Sequence, residues 1–215
     1  DWGAQLPDAG IWRDISLEFY SEARLGDVLF LQEHIKRADE TDVRLTIEVP
    51  VSVFVQNTYK ISTLITGPDG LPVINMSVIE DLNSEKQHTV TLRTMIDNAA
   101  LWWPNNLGEH PLYNVDISLS RYEGEELDIS SYKIGLRTLT VSTDRDEWGS
   151  EFAFCVNGVK FFAMGADYIP EDTVYSRINR KRIEYLIKSA VQANYNTLRV
   201  WGGGYYPGDD FYDLC

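Results

Sequence analysis

The chain has 215 residues, 44% of them hydrophobic and 24% charged, which suits one large or two smaller globular domains with a proper buried core. Thirty-three acidic residues against 19 basic ones leave a net charge of −14. That balance excludes the basic footprint that nucleic-acid phosphates demand and argues equally against anionic membranes, so neither partner is expected and the acidity reads as solubility.

No stretch approaches the ~18 consecutive apolar residues of a membrane helix. The opening Asp1-Trp2-Gly3 carries no signal-peptide pattern and reads as a cut inside a longer protein. Residues 43–49 (VRLTIEV) alternate apolar and polar, predicting a half-buried strand with Val43, Leu45, Ile47 and Val49 on one face. A second strand is expected over 59–65, ended by the Gly67-Pro68-Asp69-Gly70 turn. Further strands follow at 88–93, at 112–119, and, after a turn at Glu123-Gly124, around 127–129 and 132–141. Short strands separated by turn signals, with no helical period, predict a β-sandwich over roughly 21–142.

The character then changes. Phe152, Phe154 and Val156 alternate with Ala153 and Cys155, and Asn157-Gly158 is a strong hairpin signal because both residues tolerate positive φ. Residues 159–165 (VKFFAMG) form an apolar run, expected to be a strand covered on both faces. Ile183, Leu186, Ile187, Ala190 and Val191 then make one stripe of a helix with Asn179 as its N-cap. A strand at 197–201 follows, then Gly202-Gly203-Gly204, and 209–215 begins another helix. Strand, helix and strand in ~40 residues predict a βαβ unit, which belongs to a parallel sheet. Residues 143–215 fall far short of the ~250 residues of a closed (β/α)8 barrel, so the barrel is expected to be incomplete.

Two tempting motifs fail on their chemistry. Gly203-x-x-x-x-Gly208 has a phosphate-loop spacing, but Asp209 and Asp210 stand where Lys and Ser/Thr belong, and carboxylates repel phosphate. Asp144-x-Asp146 with Gly149 hints at a calcium loop, but Trp148 occupies the place of the third acid, which leaves an ordinary turn. Cys155 and Cys215 form no disulfide framework or metal spacing, and His34, His88 and His110 are scattered.

Five segments are more specific: DWGAQLPDAGIWRDI (1–15), LWWPNNLGEHPLY (101–113), IGLRTLTV (134–141), FCVNGVKFFAMGADYIPEDTV (154–174) and NTLRVWGGGYYPGDDFYDLC (196–215). In this order and spacing the chain resembles the β-mannosidases of glycoside hydrolase family 2 along essentially its whole length. LWWPN, PLY and IGLRT also occur in related enzymes acting on β-galactosides, β-glucuronides and β-glucosaminides, while DWG combined with LRVWGGG tilts the resemblance to mannose.

The resemblance implies a mainly β chain. Residues 1–20 would end a jelly-roll sugar-binding-like domain, 21–142 would form an immunoglobulin-like β-sandwich, and 143–215 would start a (β/α)8 TIM barrel. It implies retaining exo-hydrolysis of terminal β-mannosides by two glutamates about 5 Å apart. Both belong to later barrel strands, beyond Cys215, so no catalytic residue is expected in this chain; Glu109, Glu151 and Glu171 do not take their place. Substrate-binding roles fall on Asp1, the DWG aspartate that would reach the terminal sugar, and on Trp201, at the C-terminal end of a barrel strand. Arg199 matches an arginine that supports the nucleophilic carboxylate; without that partner it is expected to be unpaired or otherwise paired. Asp167-Tyr168 departs from the Asn-Trp usual after the first barrel strand. Trp102 and Trp103 are expected to pack structurally. No cofactor and no metal is implied. A reading of another class makes the sandwich a stand-alone carbohydrate- or protein-binding module.

Overall fold

The computed structural model describes residues 9–84 and 87–215. Asp1 therefore lies outside the described residues. The chain divides into two compact units, one of 18–103 and 109–159, the other of 9–17, 104–108 and 160–215 among the described residues.

The larger unit is a sandwich of two four-stranded sheets. One sheet is organised around β3 (Glu40–Val53), which pairs antiparallel with β1 (Ala23–Leu25), β2 (Leu29–Arg37) and β6 (His88–Ile96). The other runs β5–β4–β7–β8, with β4 (Asn57–Thr66), β5 (Pro72–Leu82), β7 (Tyr113–Arg121) and β8 (Glu126–Ile134). The period-two alternation places every second side chain inward. Val43, Leu45, Ile47, Val49 and Val51 of β3 are fully buried with Tyr59, Ile61 and Ile65 of β4 and Val115, Ile117 and Leu119 of β7. Each such side chain contributes about 1.5–3 kcal/mol by leaving water, which explains why these central strands were legible from pattern alone. Asp42 and Thr63 are the buried polar residues of this core among the described residues. The Asp42 carboxylate accepts the Asn98 backbone N–H at 3.0 Å through Oδ1 and lies 2.8 Å from Arg37 Nε through Oδ2.

The sandwich unit continues into β9 (Leu139–Ser142) and β10 (Ala153–Val156), which pair antiparallel, and β11 (Val159–Phe161) starts at the unit's last residue. The turn at Asn157-Gly158 has φ of 50° and 83°, the positive values expected of it. Asn157 is buried, and its side-chain amide accepts from Thr138 N–H and donates to the Trp102 carbonyl, both at 3.0 Å. Asp146 closes the 144–149 segment by accepting the Trp148 and Gly149 backbone N–H groups, each at 2.8 Å, an ordinary turn.

In the smaller unit β12 (Gly165–Tyr168) and β13 (Thr197–Val200) pair in parallel, with α1 (Arg180–Gln192) between them in sequence and α2 (Asp209–Leu214) after β13. Asn179 caps α1, its side-chain oxygen accepting the Arg182 N–H at 3.1 Å. Tyr168, Ile183, Ile187 and Phe211 form the buried cluster of this unit, with Leu186, Leu198 and Val200 packed against it. The predicted helical stripe holds through Ile187 and Ala190, while Val191 at its end is exposed.

Two sequence expectations need correcting. The 159–165 run is not one covered strand: it breaks between β11 and β12, and Phe162 is 82% exposed. Between the two strands the Met164 N–H donates to Asn196 Oδ1 at 2.9 Å rather than joining a strand ladder. The expected strand over 132–141 is likewise two pieces, the end of β8 and all of β9, separated at 135–138 where Leu136 turns fully inward.

Candidate functional site

The C-terminal ends of β12 and β13 gather the candidate residues of the smaller unit. A parallel pair places successive strand ends on one side, where βα loops supply functional groups. Arg199 stands directly opposite Asp167 in the parallel register, and its guanidinium pairs with that carboxylate at 2.8 Å. Both partners are well exposed, so the pair holds the arginine with only about 0–1 kcal/mol and leaves it available to another carboxylate.

Trp201 follows β13 immediately, and its backbone N–H donates to the Tyr168 carbonyl at 2.9 Å, extending the register by one step. Its indole folds back over Gly203: a Cβ there would lie 2.1 Å from the ring. Gly203 therefore makes room for the Trp201 indole. Arg199 lies in β13 and Trp201 follows that strand directly, whereas Asp1 lies outside the described residues.

A third group at this rim was not singled out for a role from sequence. Glu171, in the loop after β12, accepts a hydrogen bond from the Tyr168 hydroxyl through Oε1, and Tyr205 Oη lies 3.5 Å from Oε2. Burial pushes the Tyr168 phenol well above its ordinary value, and the hydrogen bond to Glu171 adds to the rise. Tyr205 is pushed up to about 12, by burial first and then by the charge of Glu171. Both phenols therefore remain protonated donors at neutral pH. The only advance signal was the Tyr168-x-x-Glu171 spacing; the approach of Tyr205 is a long-range contact that no local pattern announces.

Tyr205 also belongs to an aromatic group in the same unit. Its ring centroid is 4.9 Å from that of Trp12 and 4.7 Å from that of Tyr175, both in edge-to-face geometry. Arg13 stacks over the Trp12 ring at 4.6 Å. These residues wall a cleft of about 390 Å³ whose floor includes Ile183 and Asp209. Among the described residues no group of three His, Cys, Asp or Glu is placed to hold a metal ion.

In the sandwich unit Trp102 and Trp103 are half-buried. Arg137 lies 4.6 Å over the Trp102 ring, Trp102 N–H donates to the Leu136 carbonyl, and the Trp103 carbonyl is 2.6 Å from His110 Nδ1.

Similarity to known proteins follows the same lines. The chain is 31% identical to a β-mannosidase of Rattus norvegicus and 34% identical to β-mannosidase B of Aspergillus oryzae, in both cases over all of this chain and 24% of the relative. The chain thus spans about a quarter of the length of the curated relatives it matches. Among solved structures it superposes on the β-D-mannosidase of Dictyoglomus thermophilum with a TM-score of 0.85 and 30% identity, over 92% of this chain and 24% of that one. A putative β-galactosidase of Bacteroides fragilis, with a TM-score of 0.72 over 90% of this chain and 28% of its own, shares the fold at 16% identity. Residues 23–137, more than half of the chain, match the family model of the glycosyl hydrolases family 2, and the chain belongs to that family.

Proposed function

We propose that this chain is a non-catalytic portion of a retaining exo-glycosidase that hydrolyses terminal β-D-mannosides of oligosaccharides or glycoconjugates. The observation that carries the reading is 31–34% identity to β-mannosidases along the entire chain. In this reading residues 1–20 end a jelly-roll domain, 21–142 form an immunoglobulin-like sandwich, and 143–215 open a (β/α)8 barrel. The parallel β12–α1–β13 unit supports the last assignment, because a βαβ unit is the repeat from which such barrels are built.

The proposed chemistry divides as follows. An acid/base glutamate and a nucleophilic glutamate, expected beyond Cys215, flank the anomeric carbon and work through a glycosyl-enzyme intermediate. Trp201 offers its indole to the apolar face of the sugar. Arg199 exchanges its exposed bond to Asp167 for the nucleophilic carboxylate, favouring the ionised form of that group. Asp1 accepts hydrogen bonds from sugar hydroxyls. No cofactor is needed for this carboxylate chemistry.

A panel of nitrophenyl β-glycosides tests the reading on the enzyme that contains this chain. Preference for the mannoside is expected, and the isolated chain should release nitrophenol from none of them. Preference for the galactoside, glucuronide or glucosaminide would replace the substrate assignment, and turnover by the isolated chain would overturn its non-catalytic role.

A further inference from the structure

We propose that Glu171 is a positioning residue that ties the loop after β12 to the loop after β13 and thereby fixes the Trp201 indole at the rim; the consequence for sugar binding rests on the function proposed above. The tie has two ends. Glu171 Oε1 takes the Tyr168 hydroxyl at the end of β12, and Oε2 faces the Tyr205 hydroxyl 3.5 Å away in the loop after β13. Trp201 lies between these anchors in the chain, with its N–H on the Tyr168 carbonyl and its ring beside Gly203, and it lines one small cavity with Glu171.

The two loops meet closely enough for such a tie to matter. The Pro170 ring comes within 3.0 Å of where a Cβ of Gly204 would sit, so a larger residue there requires Pro170 to give by a few tenths of an ångström. Glu171, Pro170, Trp201 and Tyr205 line one small cavity of about 10 Å³, roughly the space of a single water. Tyr168 is anchored independently, its ring 4.5 Å from Phe211 of α2, and Tyr205 is held by Trp12 and Tyr175. A carboxylate joining two phenols that are themselves packed into separate clusters is a brace. With Oε1 bonded to one phenol and Oε2 facing the other, Glu171 is poorly suited to act as acid/base or nucleophile.

The experiment has two arms. In the first, the chain is labelled with 5-fluorotryptophan, and the Trp201 resonance is assigned by its loss in Trp201→Phe. Glu171→Ala is expected to shift and broaden that resonance while the Trp102 signal stays in place, showing that the sandwich is folded. Glu171→Gln, which keeps the shape and one acceptor oxygen, restores most of the wild-type position, and Tyr205→Phe gives an intermediate effect. An unmoved Trp201 resonance in Glu171→Ala would overturn the proposal. The second arm uses the enzyme that contains this chain and whichever glycoside it hydrolyses. Glu171→Ala should raise KM roughly tenfold with kcat little changed, the signature of lost uniform binding. A collapse of kcat at unchanged KM in both Glu171 variants would instead make Glu171 a catalytic group. Failure of the mannoside assignment leaves the fluorine result standing, so the two ideas fail separately.

Discussion

A single carboxylate shows how side-chain pairing adds to the acid dependence of the sandwich. Glu22, just before β1, receives Arg121 Nε on one oxygen at 2.8 Å and the Arg121 terminal nitrogen on the other, a bidentate pair. The Arg121 hydrogen bonds hold the Glu22 carboxyl below its ordinary value near 4.5. A lowered folded value means that the unfolded chain binds a proton first as pH falls. The contribution is therefore fully present above pH about 4.5 and is lost as pH drops through the folded value. Urea unfolding of Glu22→Gln between pH 3 and 7 should show lower stability at neutral pH and a shallower acid slope than wild type (the pH limits are roughly those of carboxylate titration). Equal slopes would remove Glu22 from the account.

At the scale of elements, legibility followed position in the sheet. Strands β3, β4 and β7 were readable because each buries one whole face between neighbours, so alternation in sequence copies alternation in burial. The flanking strands β2 and β5 went unread. Leu29 and Leu31 of β2 and Ile79 of β5 are about half exposed, so the apolar residues there do not mark the inward face. The helix α1 was legible through its stripe and its Asn179 cap, because both are local signals. The brace at Glu171 was not, since it depends on residues 34 positions apart meeting across two loops.

Element pairing also predicts where the smaller unit is most fragile. A Cβ on Gly165 would lie 1.8 Å from the Thr197 carbonyl oxygen, inside the first rung of the β12–β13 ladder. Gly165→Ala must therefore push the strands apart. The expected outcome is loss of amide protection at 165–168 and 197–200 with the sandwich melting unchanged. Full protection of those amides in the variant would show that the pair can absorb the methyl group.

The whole molecule contains two units of unequal cohesion. The sandwich buries an extended cluster from Ala23 to Leu136, many members at zero exposure, whereas among the described residues the buried cluster of the smaller unit is Tyr168, Ile183, Ile187 and Phe211. Burial on this scale sets how far opening must go before an amide exchanges. Hydrogen exchange should be slowest in β3, β4 and β7 and markedly faster across β12, α1 and β13; uniform protection along the chain would contradict this ordering. The overall sandwich-plus-βαβ plan was visible from hydrophobic period, because it depends on many residues at once. The rim depended on few, and sequence pattern named Arg199 and Trp201 only through family resemblance.

The hairpin at Asn157-Gly158 carries one more consequence, a chemical one. An Asn followed by Gly is prone to spontaneous deamidation, in which the next backbone nitrogen attacks the side-chain carbonyl to close a succinimide ring. Here that amide is buried and held by Thr138 and Trp102, so it cannot swing toward the Gly158 nitrogen. The native turn thus shields its own most perishable bond, and a molecule that opens there ages into one with an extra negative charge at a buried turn.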